Sequence, residues 1–161
     1  MQLNKTSWLI LFLLFFSGLG YFREFIFVHY NNVMYQVYYH SDSHLETPGF
    51  LQFLFQVPYA KLYYFKYPMT IVFASLFFLL NLWAVKKLSS GALKTKFVFY
   101  AYAVLIFIAA LSMAYAFFFT KKLADDEYTL SRWLLGVAQS PIICLFLLAS
   151  EKLISNTQNH D

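Results

Sequence analysis

The sequence predicts an all-α integral membrane protein with four transmembrane helices and a helical, aromatic-rich outer loop between the first two. Of its 161 residues, 60% are hydrophobic and only 12% are charged, whereas soluble domains have about 45–50% apolar and about 25% charged residues. Four apolar stretches approach the roughly 20 residues that a helix needs to cross a hydrocarbon core of about 30 Å. Little chain is left over, so we expect residues 1–161 to form a single four-helix transmembrane domain.

The charged residues and the motif content exclude several classes of protein. The Lys and Arg residues lie mainly at the ends of the apolar stretches, which is typical of membrane anchoring and not of nucleic-acid binding. The sequence has one Cys and contains no phosphate loop, CxxC pair, GxSxG or HExxH motif. A globular cytoplasmic enzyme, a disulfide-stapled secreted module and a disordered tail are therefore excluded, and no cofactor is expected.

The first predicted span covers residues 7–28 and carries Arg23 and Glu24 late in its course. A cleaved signal peptide within residues 1–20 is the alternative, because a basic start, an apolar core and two glycines resemble a cleavage signal. Apolar residues resume after Glu24, which a signal peptide does not require. The sequence therefore favours a membrane span.

The second predicted span covers residues 69–85 and extends backwards through residues 63–65, with Pro68 either kinking it or marking its first turn. The third covers residues 97–119 without a charge. Alanine and serine recur along it at helical spacing, which would let neighbouring helices approach closely.

The fourth predicted span covers residues 130–150 and has an unusually polar centre at Gln139, Ser140 and Pro141. Because Pro141 has no backbone N–H, the carbonyl of Val137 loses its usual helical partner. We expect a kink at which Gln139 or Ser140 either satisfies the freed groups or offers them to a ligand.

These spans contain a candidate intramembrane polar cluster, made of Arg23, Glu24, Arg132, Gln139 and Ser140. The late end of the first span and the early end of the fourth share a side of the membrane, so Glu24 lies level with Arg132. A carboxylate facing lipid would cost several kcal/mol or take up a proton. We expect Glu24 to pair with Arg132 or Arg23. The alternative is that the Arg23 and Glu24 side chains both extend to the lipid headgroups.

The orientation follows from the loop between spans two and three, which concentrates Lys86, Lys87, Lys94 and Lys96. The positive-inside rule predicts that this loop is cytoplasmic, and with four spans both termini share its side. A composition rich in Phe, Tyr, Asn and Lys is typical of AT-rich bacterial genomes, so the predicted location is a bacterial inner membrane.

The predicted outer loop covers residues 29–68, carries eight tyrosines and is too apolar for a disordered linker. A polar stripe at helical spacing predicts that the first helix continues beyond the membrane; its members are His29, Asn32, Gln36 and His40. After Pro48 and Gly49, we expect the apolar residues 50–57 to lie on the bilayer surface. For the tyrosines, interfacial anchoring is favoured over recognition of a sugar or peptide.

His40 and His44 are weak candidates for metal binding, because they lie four residues apart on a possible helix. A third ligand would have to come from His29, Asp42 or Glu46. A solvated capping turn is favoured instead, so no metal site is predicted.

The sequence identifies neither a family nor an activity. A non-enzymatic role is favoured, as an accessory, assembly or interaction subunit of a membrane complex, with the bilayer and another membrane protein or a second copy as partners. A small transporter or channel subunit is the first alternative, and it would act as a homo-oligomer because four helices enclose little room for a pathway.

The second alternative is a membrane-bound enzyme acting on lipid or quinone, with Glu24 or an outer histidine as acid or base. Cys144 is expected to be a packing residue and not a nucleophile, because no basic residue is placed to activate it.

Overall fold

The computed structural model describes residues 4–40, 46–89, 95–115, 118 and 129–158, with only the backbone described at Thr129, Arg132 and residues 154–158. All regular secondary structure among these residues is helical, and no strand occurs among them. The elements in chain order are α1 (Lys5–Tyr39), a 3-10 helix (Gly49–Gln56), α2 (Tyr59–Leu88), α3 (Lys96–Tyr115), α4 (Thr129–Ala138) and α5 (Ile142–Gln158).

Within the described residues, three helices are long and apolar enough to cross a membrane, namely α1, α2 and α3. Residues 130–150 were predicted to form one span, but they do not form one helix. They divide between α4 and α5, with a break at residues 139–141. The described fold is therefore that of an all-helical protein consistent with membrane insertion, with three candidate spans and one broken helix.

The first helix is longer than the predicted span. α1 has 35 residues, or about 52 Å at 1.5 Å per residue, whereas the hydrocarbon core is about 30 Å thick. The expectation that this helix continues past residue 28 is thus confirmed. It ends where His40 adopts a positive φ of 51°, a left-handed conformation typical of the residue that follows a helix.

The second helix also starts earlier than its predicted span. It begins just after Pro58, whose carbonyl accepts the N–H groups of Lys61 and Leu62 and so starts the helical hydrogen bonds. Pro68 lies inside α2, so it does not mark the start of the helix.

The chain forms two compact units, of which the first comprises Met1–Phe16 and Ala74–Asp161. Aromatic rings join the start of α1 to the end of α2, with Phe12 5.0 Å from Trp83 and Phe16 6.2 Å from Phe77 between ring centroids. On the next face of α2, the ring of Phe78 meets α3. These contacts make α1, α2 and α3 of this unit alternate in direction.

The second unit is the helical hairpin Ser17–Phe73. Its core is a cluster of buried side chains from both helices and the 3-10 helix: Tyr30, Val33, Met34, Leu51, Leu54 and Leu62. The Tyr30 hydroxyl donates a 2.6 Å hydrogen bond to the carbonyl of Leu62 and so ties the two helices together. Phe50 and Phe53 project outward from the 3-10 helix, and contact of this face with a bilayer stays a prediction.

Candidate functional site

The break between α4 and α5 is held by the side chain of Asn81, which is fully buried in α2. In a continuous helix, the carbonyl of Ser140 would accept the N–H of Cys144. Here that N–H donates instead to Asn81 Oδ1 at 3.0 Å, while Asn81 Nδ2 donates to the Ser140 carbonyl at 3.4 Å. The Asn81 amide is therefore inserted into the backbone ladder and satisfies both of the separated groups.

Two hydroxyl groups satisfy the other carbonyls at the end of α4. The Tyr102 hydroxyl, on α3, donates at 2.7 Å to the carbonyl of Ala138 and accepts a 3.0 Å bond from Asn81 Nδ2. Ser140 Oγ donates at 2.7 Å to the carbonyl of Val137, the group that Pro141 leaves without a donor. Of the outcomes the sequence allowed for this carbonyl, satisfaction by Ser140 is the one observed.

This network is closed in chemical terms. Asn81 Nδ2 also lies 2.8 Å from the carbonyl of Phe77, so its two N–H groups are shared among three acceptors, of which the Ser140 carbonyl is the most distant. The amide nitrogen and oxygen are both bonded within the protein. Tyr102, Ala138 and Cys144 around it are buried, which agrees with a packing role for the Cys144 side chain. The arrangement stabilises a broken helix between α2 and α3.

The break also borders a shallow groove of about 400 Å³, which is lined by Trp133, Gly136, Val137 and Ile142. A Cβ built on Gly136 would meet nothing within 4 Å, so the groove is open there. Its walls are apolar side chains and one glycine. The groove can take a hydrocarbon surface.

The residues of the predicted intramembrane cluster divide between two places. Gln139 and Ser140 lie at the helix break, where Gln139 is buried. Arg23 and Glu24 lie in the hairpin unit with charged atoms 3.9 Å apart, and the Arg23 guanidinium also lies 5.6 Å from the ring centroid of Phe27.

Of the two partners expected for Glu24, Arg23 is the one that the structure describes close to it. Its side chain is 66% exposed. The Arg132 side chain lies outside the described residues, so the pairing of Glu24 with Arg132 stays a prediction.

The predicted polar stripe runs along the hairpin part of α1. His29 is part-buried, with Nδ1 2.8 Å from the carbonyl of Phe25. Asn32 and Gln36 are half-buried and His40 is exposed. His44 lies outside the described residues, and the described part of the chain contains no group of three or more potential metal-ligating side chains.

The hairpin also carries a continuous row of tyrosine rings, here called the tyrosine ladder. It consists of Tyr35, Tyr38, Tyr39, Tyr59, Tyr63, Tyr64 and Tyr67. Neighbouring ring centroids lie 4.7 to 6.3 Å apart, and the row passes from α1 to α2 where Tyr38 meets Tyr59 at 4.7 Å. Five of its members are exposed over more than two fifths of their surface.

Sequence reasoning missed the two residues that organise the break, Asn81 and Tyr102. A signal for Asn81 was present, because it is the one strongly polar side chain between Met69 and Val85, and such residues in apolar spans usually bond to a neighbouring helix. Tyr102 carried no such signal, since tyrosine is frequent throughout this chain.

The fold and the site define a class, an all-helical protein with three candidate membrane-spanning helices and a broken helix fixed by buried side chains. Comparison with known proteins adds no relative, since no family model, curated protein or solved structure matches the chain.

Proposed function

We propose that this chain is an interaction or assembly subunit of a membrane complex, and that the tyrosine ladder is its contact surface for another membrane protein. The observation that carries the proposal is the continuous row of largely exposed tyrosine rings on the hairpin. If the first span ends at residue 28, Tyr35 and Tyr39 lie about 10 and 16 Å further along α1. The headgroup layer is only about 5 to 8 Å thick on each side.

Interfacial anchoring accounts for only part of the ladder. Tyr67 lies two residues before the predicted second span and suits the headgroup level, where tyrosine is common. Tyr59 lies about 15 Å above the start of that span, and Tyr35, Tyr38 and Tyr39 are each more than half exposed. A contiguous aromatic surface in water is typical of a protein contact site, because tyrosine supplies apolar area and a hydroxyl together.

In this proposal α4 and α5 together make the fourth crossing, so the chain has four spans in a bacterial inner membrane with both termini in the cytoplasm. The hydrogen bonds at the break support this, because backbone inside a bilayer must find partners within the protein. The lysines at the end of α2 support the orientation.

The alternative of a transporter subunit rests on the broken helix. Transporters use such breaks to present backbone groups to a substrate. Here Asn81, Tyr102 and Ser140 occupy those groups, which favours a structural role for the break. No contact among the described residues favours the enzymatic alternative.

Site-specific photocrosslinking in native membranes tests the proposal. A benzophenone amino acid is placed at Tyr38 or Tyr64 on the ladder, and at Leu14 or Phe107 as equally exposed controls on the apolar spans. We expect one discrete protein adduct from the ladder positions and lipid adducts from the controls. A differently tagged second copy distinguishes self-association from another protein. Lipid adducts alone at both ladder positions would overturn the proposal.

A further inference from the structure

Five lysines gather at one end of the first unit, here called the lysine end: Lys5, Lys86, Lys87, Lys96 and Lys152. All five side chains are exposed. They come from four helices, so their common level depends on how these helices pack.

Contacts between the helices fix that level. On α1, Trp8 lies beside Trp83 at 5.9 Å and under the Lys87 ammonium at 5.3 Å, which places Lys5 level with the last turn of α2. On α3, Phe99 and Tyr102 each meet Phe78 at 4.9 Å, and in this antiparallel pair Lys96 falls level with residues 81–84.

The last helix that contributes a lysine, α5, runs parallel to α2. Cys144 is bonded to Asn81, and Glu151 accepts a 2.9 Å hydrogen bond from the Ser89 hydroxyl. Lys152 therefore lies just past the end of α2. Together the five lysines span about 9 to 14 Å along the helix direction, and this layer lies at one end of the unit.

Among the described residues, positive charges outnumber negative charges at the lysine end. Glu151 is the one described carboxylate in this layer, and its side chain is buried against Ser89. The layer also lies beside Trp8 and Trp83, and tryptophan of membrane proteins prefers the headgroup level. The excess of positive charge among the described residues therefore lies at the level that lipid phosphates occupy.

We propose that the lysine end is a binding site for anionic phospholipid headgroups, with phosphatidylglycerol as the representative ligand. A phosphodiester brings negative charge to the exposed Lys86, Lys87 and Lys96, and each lysine near an anionic surface adds favourable attraction. This inference is independent of the tyrosine ladder, which belongs to the other unit.

Tryptophan quenching by brominated lipids tests the proposal. In a Trp133→Phe background the two remaining tryptophans, Trp8 and Trp83, both report on the lysine end. The protein is reconstituted in bilayers that contain brominated phosphatidylglycerol or brominated phosphatidylcholine. We expect at least about a fivefold preference for phosphatidylglycerol, declining as sodium chloride is raised.

Three variants locate the site. Lys86→Gln with Lys96→Gln is expected to reduce the preference at least threefold while leaving the Lys87–Trp8 contact in place. Lys86→Arg with Lys96→Arg keeps the charge and should retain the preference. Lys61→Gln with Lys66→Gln removes the same charge from the hairpin unit and should also retain it. Equal quenching by the two lipids in the parent protein, or equal losses in the two glutamine variants, would overturn the proposal.

Discussion

The backbone N–H of Cys144 donates to the side-chain oxygen of Asn81 at 3.0 Å, in place of the carbonyl four residues earlier in its own helix. The same amide reaches the carbonyl of Ser140 from its nitrogen. One side chain of α2 thus holds apart two groups that would otherwise close the helix between α4 and α5. The break depends on a tertiary contact as well as on Pro141.

We predict that Asn81→Leu lowers the free energy of unfolding by about 2 kcal/mol, because it leaves buried backbone groups without partners. Tyr102→Phe removes one hydroxyl and should cost about 1 kcal/mol. SDS titration in mixed micelles measures both, and Asn31→Leu at an exposed position is the matched control. Equal stability of Asn81→Leu and the control would show that the network contributes nothing.

The role of Ser140 is separable from that of Pro141. Ser140→Ala should cost about 1 kcal/mol, since the Val137 carbonyl then has no donor. Pro141→Ala in the same chain restores a backbone N–H four residues beyond Val137 and should recover part of the loss. The four unfolding free energies form a double-mutant cycle, and strictly additive effects would contradict the assignment.

In the hairpin, Tyr30→Phe is expected to loosen the contact between its two helices, because the 2.6 Å bond to the Leu62 carbonyl is lost. Amide exchange near residues 59–63 should accelerate about fivefold, corresponding to about 1 kcal/mol. Tyr21→Phe, where the side chain is 75% exposed, is the control. Unchanged exchange in Tyr30→Phe would show that this hydrogen bond does not hold the two helices together.

The pairing of Glu24 with Arg132 is also open to experiment. Glu24→Gln and Arg132→Gln should each lower the midpoint of thermal unfolding in detergent, and the double variant should partly restore it, because a desolvated charge without its partner is costly. Arg23→Gln belongs in the same series, since its charge lies 3.9 Å from Glu24. Independent losses from Glu24→Gln and Arg132→Gln would mean that the two side chains do not meet.

Apolar length and helical spacing were sufficient to predict the helical class and the continuation of α1. They were not sufficient for the site, because α2 and α3 are apolar on most sides and no face of either is marked as the one that meets a neighbour. Pro141 and Ser140 announced a local irregularity. That Asn81 and Tyr102 enter it depends on the packing of helices distant in sequence, which local patterns do not contain.

The polar stripe illustrates the same limit. The spacing of His29 and Asn32 correctly indicated a helix, but the more distinctive feature of that helix is the tyrosine ladder. The ladder forms because Tyr38 on α1 meets Tyr59 on α2, across a turn whose geometry the sequence does not specify.

We expect the far end of the tyrosine ladder to stand in water, and thiol labelling of the purified protein in nanodiscs measures this exposure. Cysteine is placed at Tyr38, at Tyr67 or at Leu14, and a membrane-impermeant maleimide is added, with buried Cys144 as the background measured in the parent chain. We predict that Tyr38→Cys reacts as fast as a free thiol, Tyr67→Cys more slowly and Leu14→Cys hardly at all. Protection of Tyr38→Cys to the level of Leu14→Cys would show that this end of the ladder does not stand in water.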